Sequence, residues 1–314
     1  AAFTRIAWPE MKKAGYNHSF ALGAISGSAC LGMLIPPSVL LIVWGIITED
    51  SIGKLFVAGV IPGILLALLY VTYNLVRAIM KPELAPEPDK VGLTTKLTKT
   101  EIYSGFSIIA LIFLVLGGIW GGIFTATEAA GMGAIASFII ALCKGMKFKG
   151  VVESVIDAGK TSAPIMILLI TAGMYSRFLS LSDINSIILE AITSVGLNQF
   201  AILIMMVVIW LVLGMLLDSI SIILLTVPLF IHLVPEMNPY AFAIFGILAI
   251  EAGLLTPPFG LIVYTVKGVL TGSNDNVPLG TIFMGSIPYW IMMLFVMIMV
   301  YLIPELASWP TKFV

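Results

Sequence analysis

Long apolar runs separated by short polar breaks dominate the chain. They fall at residues 18–48, 55–78, 103–120, 124–143, 161–179, 199–234, 239–270 and 279–303. A helix needs about 20 mainly apolar residues to cross a bilayer, so the pattern predicts an all-α bundle of membrane-crossing helices. Two of the runs carry a double proline at their centre, Pro36-Pro37 and Pro257-Pro258. Proline lacks the N–H and blocks the preceding helical turn, so each of these runs is expected to be two half-helices joined by unwound backbone. The run 199–234 is too long for one span and has Asp218-Ser219 at its middle. It is expected to be a re-entrant hairpin that leaves the membrane by the side it entered. Residues 148–160 and 183–195 place charges on one side and apolar residues on the other. Both are expected to lie along the interface as arms.

Composition narrows the class. The chain is 60% apolar and 11% charged, against about 45–50% and about 25% in soluble domains. A net charge of −1 with no basic block argues against a nucleic-acid partner. Cys30 and Cys143 both sit inside apolar runs, where a thiol acts as a small hydrophobe rather than as half of a disulfide scaffold. His18 and His232 stand at segment ends, away from any cysteine pair, and are not expected to bind metal.

The polar stretch 81–102 divides the chain into halves that repeat. Pro9 matches Pro228, Pro36-Pro37 matches Pro257-Pro258, and the Gly59–Pro62 stretch matches Gly285–Pro288. On this alignment residues 1–80 are a first repeat, 81–102 a cytoplasmic linker and 103–314 a second repeat. The first repeat then opens inside its hairpin, so the chain is expected to be truncated at its N-terminus. With the 12–17 turn placed in the cytoplasm, most basic residues fall on the inner side, including Lys12, Lys13, Arg77, Lys81, Lys90, Lys96, Lys144 and Lys267. Only Lys54, Arg177 and Lys312 fall outside. This is a positive-inside bias, and it inverts the two halves relative to each other. Inverted repeats with helices broken near the midplane are the plan of secondary transporters.

The breaks suggest the chemistry. An unsatisfied carbonyl in hydrocarbon costs several kcal/mol, so unwound backbone at that depth is expected where it holds something. The stretches 26–37 and 251–258 are read as unwound, offering carbonyls and small hydroxyls that suit a sodium ion. The expected first site comprises Ser26, Gly27, Ser28, Gly32 and Pro36. The expected second comprises Gly253, Thr256 and Pro257 with the hairpin tip, Asp218 and Ser219. Asp218 can also cap the helix that follows it. Ser38, Ser221 and Arg5 are candidates for contact with an anionic substrate, although Arg5 also reads as a snorkelling or ion-paired residue. Glu251 is expected to face a water-filled cleft. Thr125 and Glu128 form a capping box, and Ala129, Ala130, Gly133, Ala134 and Ser137 permit close helix packing. No cofactor is expected beyond the coupling ion.

Two other classes fit less well. An intramembrane protease would need a positioned base beside Ser26, and His18 lies about two helical turns away. A purely structural subunit leaves broken backbone in both halves without a purpose.

The stretches PEMKKAGY, the Ser-Gly to Ile-Pro-Pro-Ser run, SIGKLFVAGVIPG, GIFTATEAAG, GMLLDS and GLLTPPFGL span the chain. Together they resemble the large membrane subunit, DctM type, of tripartite ATP-independent periplasmic (TRAP) transporters. The resemblance implies an elevator-type fold of the wider ion-transporter superfamily in the bacterial inner membrane. It also implies a small four-helix membrane subunit, a periplasmic binding protein, a dicarboxylate or sugar acid as substrate, and uptake driven by sodium. A stand-alone sodium–carboxylate symporter of the same superfamily is the alternative. Three departures stand out. The Ser/Ala-rich first tip is missing, the second tip reads Asp218-Ser219-Ile220 where Asp-Thr-Thr is usual, and Ile262 stands where Asn is common. The expected mechanism moves the hairpins and broken helices across a scaffold formed by 55–78, 103–143 and 279–303.

Overall fold

The computed structural model describes residues 2–86, 98–194, 196, 198–272 and 275–314. It is all helical, with no strand among the described residues. The first part comprises α1 (Ala2–Lys13), α2 (His18–Leu34), α3 (Val39–Thr48) and α4 (Ile52–Met80). After the polar stretch come α5 (Lys99–Trp120), α6 (Ala126–Cys143), α7 (Phe148–Leu181) and α8 (Ile184–Ser194). The second part ends with α9 (Gln199–Leu216), α10 (Ser219–Phe230), α11 (Pro239–Leu255), α12 (Leu261–Gly272), α13 (Leu279–Leu302) and α14 (Glu305–Ser308). Among the described residues, six helices are long and apolar enough to cross a membrane: α4, α5, α6, α7, α9 and α13. The broken pair α2–α3, bent by 40°, adds a seventh if taken as one span.

Local chemistry sets the helix boundaries. The side chains of Asn17, Ser38, Ser51, Asn198 and Asn238 each accept a backbone N–H at the start of the helix that follows, which satisfies part of the orphan first turn. The box at α6 forms as the sequence suggests. Thr125 Oγ1 accepts from Glu128 N at 3.3 Å, and Glu128 Oε2 accepts from Thr125 N at 2.8 Å. Gly133 packs against Val115 of α5, which is the close approach that its small neighbours allow.

Both broken helices follow one design. α2 and α11 each have 17 residues, begin at an Asn cap and end just before a double proline. The same spacing separates His18 from Pro239, Leu34 from Leu255 and Pro36 from Pro257. Where the two helices meet they run in opposite directions. Cys30 touches Glu251, while Leu34, a turn further along α2, shares the flank of Gly59 with Ile244, about two turns earlier on α11.

The breaks are shorter than the sequence reading has them. α2 is regular through Leu34 and α11 through Leu255, so the unwound stretches are 35–38 and 256–260. The physical reason is local. A double proline removes the N–H groups that carbonyls four residues back would use, and this disturbs one turn rather than three. The peptide bonds Pro36-Pro37 and Pro257-Pro258 are cis.

α11 is the centre of the core, with every residue from Ala241 to Leu255 buried. Gly246 sits between Trp44 of α3 and Trp210 of α9, both fully buried. α9 and α10 fold back on each other as a hairpin. Trp210 Nε1 donates to Thr226 Oγ1 at 2.8 Å, and the Trp210 and Phe230 rings meet edge to face.

α4 and α13 are also locked to the broken helices. Gly23 and Gly285 bring α2 and α13 into backbone contact, and a Cβ on either would overlap the other helix. Ser19 Oγ donates to the Thr281 carbonyl at 3.0 Å, and Tyr70 Oη to the Tyr289 carbonyl at 3.3 Å. Backbones interlocked this closely join 55–78 and 279–303 to the broken helices. α5 and α6 are different. They pack on each other and present mostly exposed apolar faces.

Residues 148–160 do not form a separate arm. They open the single 34-residue helix α7, about 51 Å long at 1.5 Å per residue. Residues 184–194 are helical as α8. Of the linker 81–102, residues 87–97 lie outside the described residues, as do Lys90 and Lys96. Pro82–Leu84 is a short 3₁₀ turn packed on the α1–α2 turn.

Candidate functional site

The hairpin tip is the two-residue turn Leu217-Asp218. Asp218 begins α10, accepting from Ser221 N at 3.1 Å while Ser221 Oγ donates to its other oxygen at 2.5 Å. The capping role read from the sequence is present, with Ser221 as the partner. Ser219, the first residue of α10, points the other way and donates to Glu251 Oε1 at 2.6 Å. Glu251 is 2% exposed, and the Cys30 thiol lies beside the same carboxyl. Glu251 therefore faces protein rather than a water-filled cleft, because the tip and α2 close over it. Neither Asp218 nor Glu251 has an ion pair with Lys or Arg among the described residues.

The tip also meets the second broken helix through its backbone. Gly214 lies against Gly253, and a Cβ on Gly214 would come within 2.8 Å of the Gly253 Cα. Gly253 is thus a close-packing position inside α11. At the break, Thr256 Oγ1 donates to the Ala252 carbonyl at 2.7 Å, and Thr256 N to the Gly253 carbonyl at 3.1 Å. The Leu254 carbonyl would need an N–H from residue 258, which is a proline. Pro257 and Pro258 are exposed at this point.

At the first break, the Gly32 and Met33 carbonyls lose their donors to Pro36 and Pro37. Met33 finds a substitute in the Ser38 hydroxyl, which also caps α3 by accepting from Leu41 N. Ser38 is fully buried and bridges the break. Gly32 is exposed and Pro36 buried. Ser26, Gly27 and Ser28 are not at the break at all. Ser26 Oγ donates to the Leu22 carbonyl at 2.7 Å, Ser28 Oγ to the Ile25 carbonyl at 3.2 Å, and Gly27 packs on the Tyr289 ring.

Beside the tip, a cavity of about 300 Å³ opens between α7 and α10, lined by Leu168, Thr171, Ala172, Tyr175, Ser221, Leu224 and Leu225. Ser221 reaches it; Arg5 and Ser38 do not. Arg5 is exposed on α1 and is not joined to the tip. The structure thus joins Asp218 to Ser221 and Ser219 to Glu251 at the tip, sets Gly253 against Gly214 of the incoming arm, and leaves Thr256 bonded to carbonyls of its own helix end. The residue that the candidate set missed is Glu251. Its signal was present in the sequence: α11 is apolar from end to end apart from that one acid.

Comparison with known proteins adds a separate line. A family model described as the DctM component of tripartite ATP-independent periplasmic transporters matches residues 1–306. The C4-dicarboxylate TRAP transporter large permease protein DctM of Pseudomonas aeruginosa is 30% identical over 311 residues, covering 98% of this chain and 71% of that protein. The sialic acid TRAP transporter permease protein SiaT of Haemophilus influenzae is 27% identical over 308 residues, covering 95% of this chain and 48% of that one. The ectoine TRAP transporter large permease protein TeaC of Halomonas elongata is 29% identical over 309 residues, covering 95% and 69%.

Proposed function

The chain belongs to the DctM component family of tripartite ATP-independent periplasmic transporters, and from that premise we propose that it carries a small organic anion across the bacterial inner membrane by sodium-coupled secondary transport. It is a multi-pass membrane protein and not an enzyme. We assign it a small four-helix membrane subunit and a periplasmic binding protein as partners, and a dicarboxylate or sugar acid as substrate. The relatives' names, for C4-dicarboxylates and sialic acid, support that class.

The observation that carries the reading is the docking of the hairpin tip on the second broken helix, through Ser219–Glu251 and Gly214–Gly253. It sets the Glu251 carboxyl, without a basic partner among the described residues, one turn before backbone that prolines have stripped of donors, with Asp218 next to Ser219 at the tip. Such a set suits a hard cation. We place one sodium at Asp218, Thr256 and the carbonyls before Pro257, with Ser219 and Gly253 supporting it. We place the other at the carbonyls around Gly32 and Pro36, where Ser26, Gly27 and Ser28 shape the helix rather than contact the ion. Ser221 would meet the substrate in the adjoining cavity.

The antiparallel crossing of α2 and α11 supports two inverted repeats, 1–80 and 103–314. We group α4 and α13 with the moving unit, because of their interlocked glycines, and leave α5 and α6 as the scaffold. The test is uptake into vesicles carrying the chain with its partner subunits. Uptake that requires a sodium gradient and the binding protein is expected. Uptake indifferent to sodium would overturn the coupling, and sodium-driven uptake without any binding protein would favour the stand-alone symporter.

A further inference from the structure

Where α4 ends, the chain folds a strap back over the turn between α1 and α2. Asn17 N donates to the Leu84 carbonyl at 3.0 Å, and Pro86 rests on Gly15. The strap encloses a cavity of about 70 Å³, whose lining includes Asn17, Ser19, Tyr73, Arg77 and Tyr289. The larger cavities beside α7 and α9 are mainly apolar; this one sets polar side chains beside Phe20, Leu84 and Met284.

Arg77 is the unusual member. Its guanidinium stands 6.0 Å from the centre of the Tyr73 ring, and its Nε is buried without a hydrogen-bond partner. It has no ion pair among the described residues, and Glu83 on the strap is exposed and does not reach it. A buried guanidinium N–H left unmade costs about 1–3 kcal/mol or more. Asn17 faces the same space with its amide donors free, because its oxygen is occupied by Ser19 N and Phe20 N. Lys13 and Lys81 lie at the same end of the molecule, at helix ends, where Lys12 is paired with Asp275. Among the described residues, the lining of the pocket therefore presents a forked cation and an amide and no acid, at the level where apolar helices stop.

We propose that this pocket binds a phosphate group, with Arg77 as a bidentate fork and the Asn17 amide as a second donor. The phosphate belongs either to a lipid headgroup or to a free anion; the chemistry is shared and the sources can be separated. The inference does not depend on the transport reading.

The full chain is reconstituted in nanodiscs of phosphatidylcholine with a minor share of phosphatidylglycerol, and retained lipid is counted by native mass spectrometry. In parallel, thermal unfolding in detergent is followed as inorganic phosphate replaces chloride at fixed ionic strength. Phosphatidylglycerol enrichment that falls about tenfold in Arg77→Gln, and less in Arg77→Lys, supports a headgroup site. A phosphate-dependent rise in melting temperature, lost in Arg77→Gln, supports a free anion, and phosphate displacing the lipid supports one pocket for both. A wild-type chain with neither enrichment nor phosphate response overturns the proposal, whether or not the variants fold. Equal losses in Lys312→Gln, remote from the pocket, would also overturn it.

Discussion

Cys30 and Glu251 occupy matching positions in two helices of equal length, and they touch. The spacing between them equals the spacing between the two double prolines. Each lies on the flank of its own helix that meets the other, and the helices run in opposite directions there. Equivalent positions of α2 and α11 thus meet, and a small thiol and a carboxyl share one buried space. The same relation repeats at Gly59 against Ile244 and Gly285 against Gly23, where both partners again hold matching positions.

Glu251→Ala removes the acceptor of Ser219 and opens space beside Cys30, and is expected to destabilise the chain by about 1–3 kcal/mol. Glu251→Gln keeps a carbonyl oxygen for Ser219 and is expected to lose less. Alkylation of Cys30, in a Cys143→Ser background because Cys143 is exposed, reads the same event. Labelling should quicken in the alanine variant and stay slow in the glutamine variant.

Asp218 has two separable jobs. Asp218→Ala loses the cap on α10, at a cost of about 1 kcal/mol. Asp218→Asn keeps the cap, because asparagine caps as well as aspartate, but removes the charge. The asparagine variant should melt near wild type and yet need more sodium for half-maximal uptake. Unchanged sodium dependence in that variant would leave Asp218 as a cap alone.

Gly285→Ala places a methyl group against the backbone of α2 at Ser19. Overpacking of this kind costs about 1–3 kcal/mol, and the interlock leaves little room to relax. Gly159 on α7 has open space around it, and Gly159→Ala should be neutral or stabilising by about 0.5–1 kcal/mol. Melting temperatures of the two variants should move in opposite directions.

Asp275 joins α1 to the loop before α13. It accepts from Lys12 and from Trp8 Nε1, the latter at 2.7 Å. These bonds, that of Lys12 foremost, hold its carboxyl below the ordinary aspartate range. A lowered folded-state value stabilises the fold above the unfolded value of about 3.9, and this contribution disappears as pH falls through the folded value. The gap in melting temperature between wild type and Asp275→Asn should be constant from neutral pH to about pH 4 and close below it. A gap that widens in acid would contradict this assignment.

The sequence by itself determined the class, the helices and the two interruptions. Apolar run length sets which segments can cross a bilayer, and a double proline removes backbone donors in any surroundings, so both are legible without a partner. The hairpin was also legible, from one acid in the middle of a run too long to cross once. Tertiary structure decided the rest. Small polar Ser26 and Ser28 suggest unwound backbone, but α2 stays helical through them and their hydroxyls bond its own carbonyls. Ser38 became a bridge across a break, and Glu251 moved from an expected cleft into the core. Arg77, an ordinary helix-end cation in the sequence, gained a pocket only because the strap folds over it. Burial and partnership depend on which surfaces meet, and a run of apolar residues looks the same whether it faces lipid or another helix.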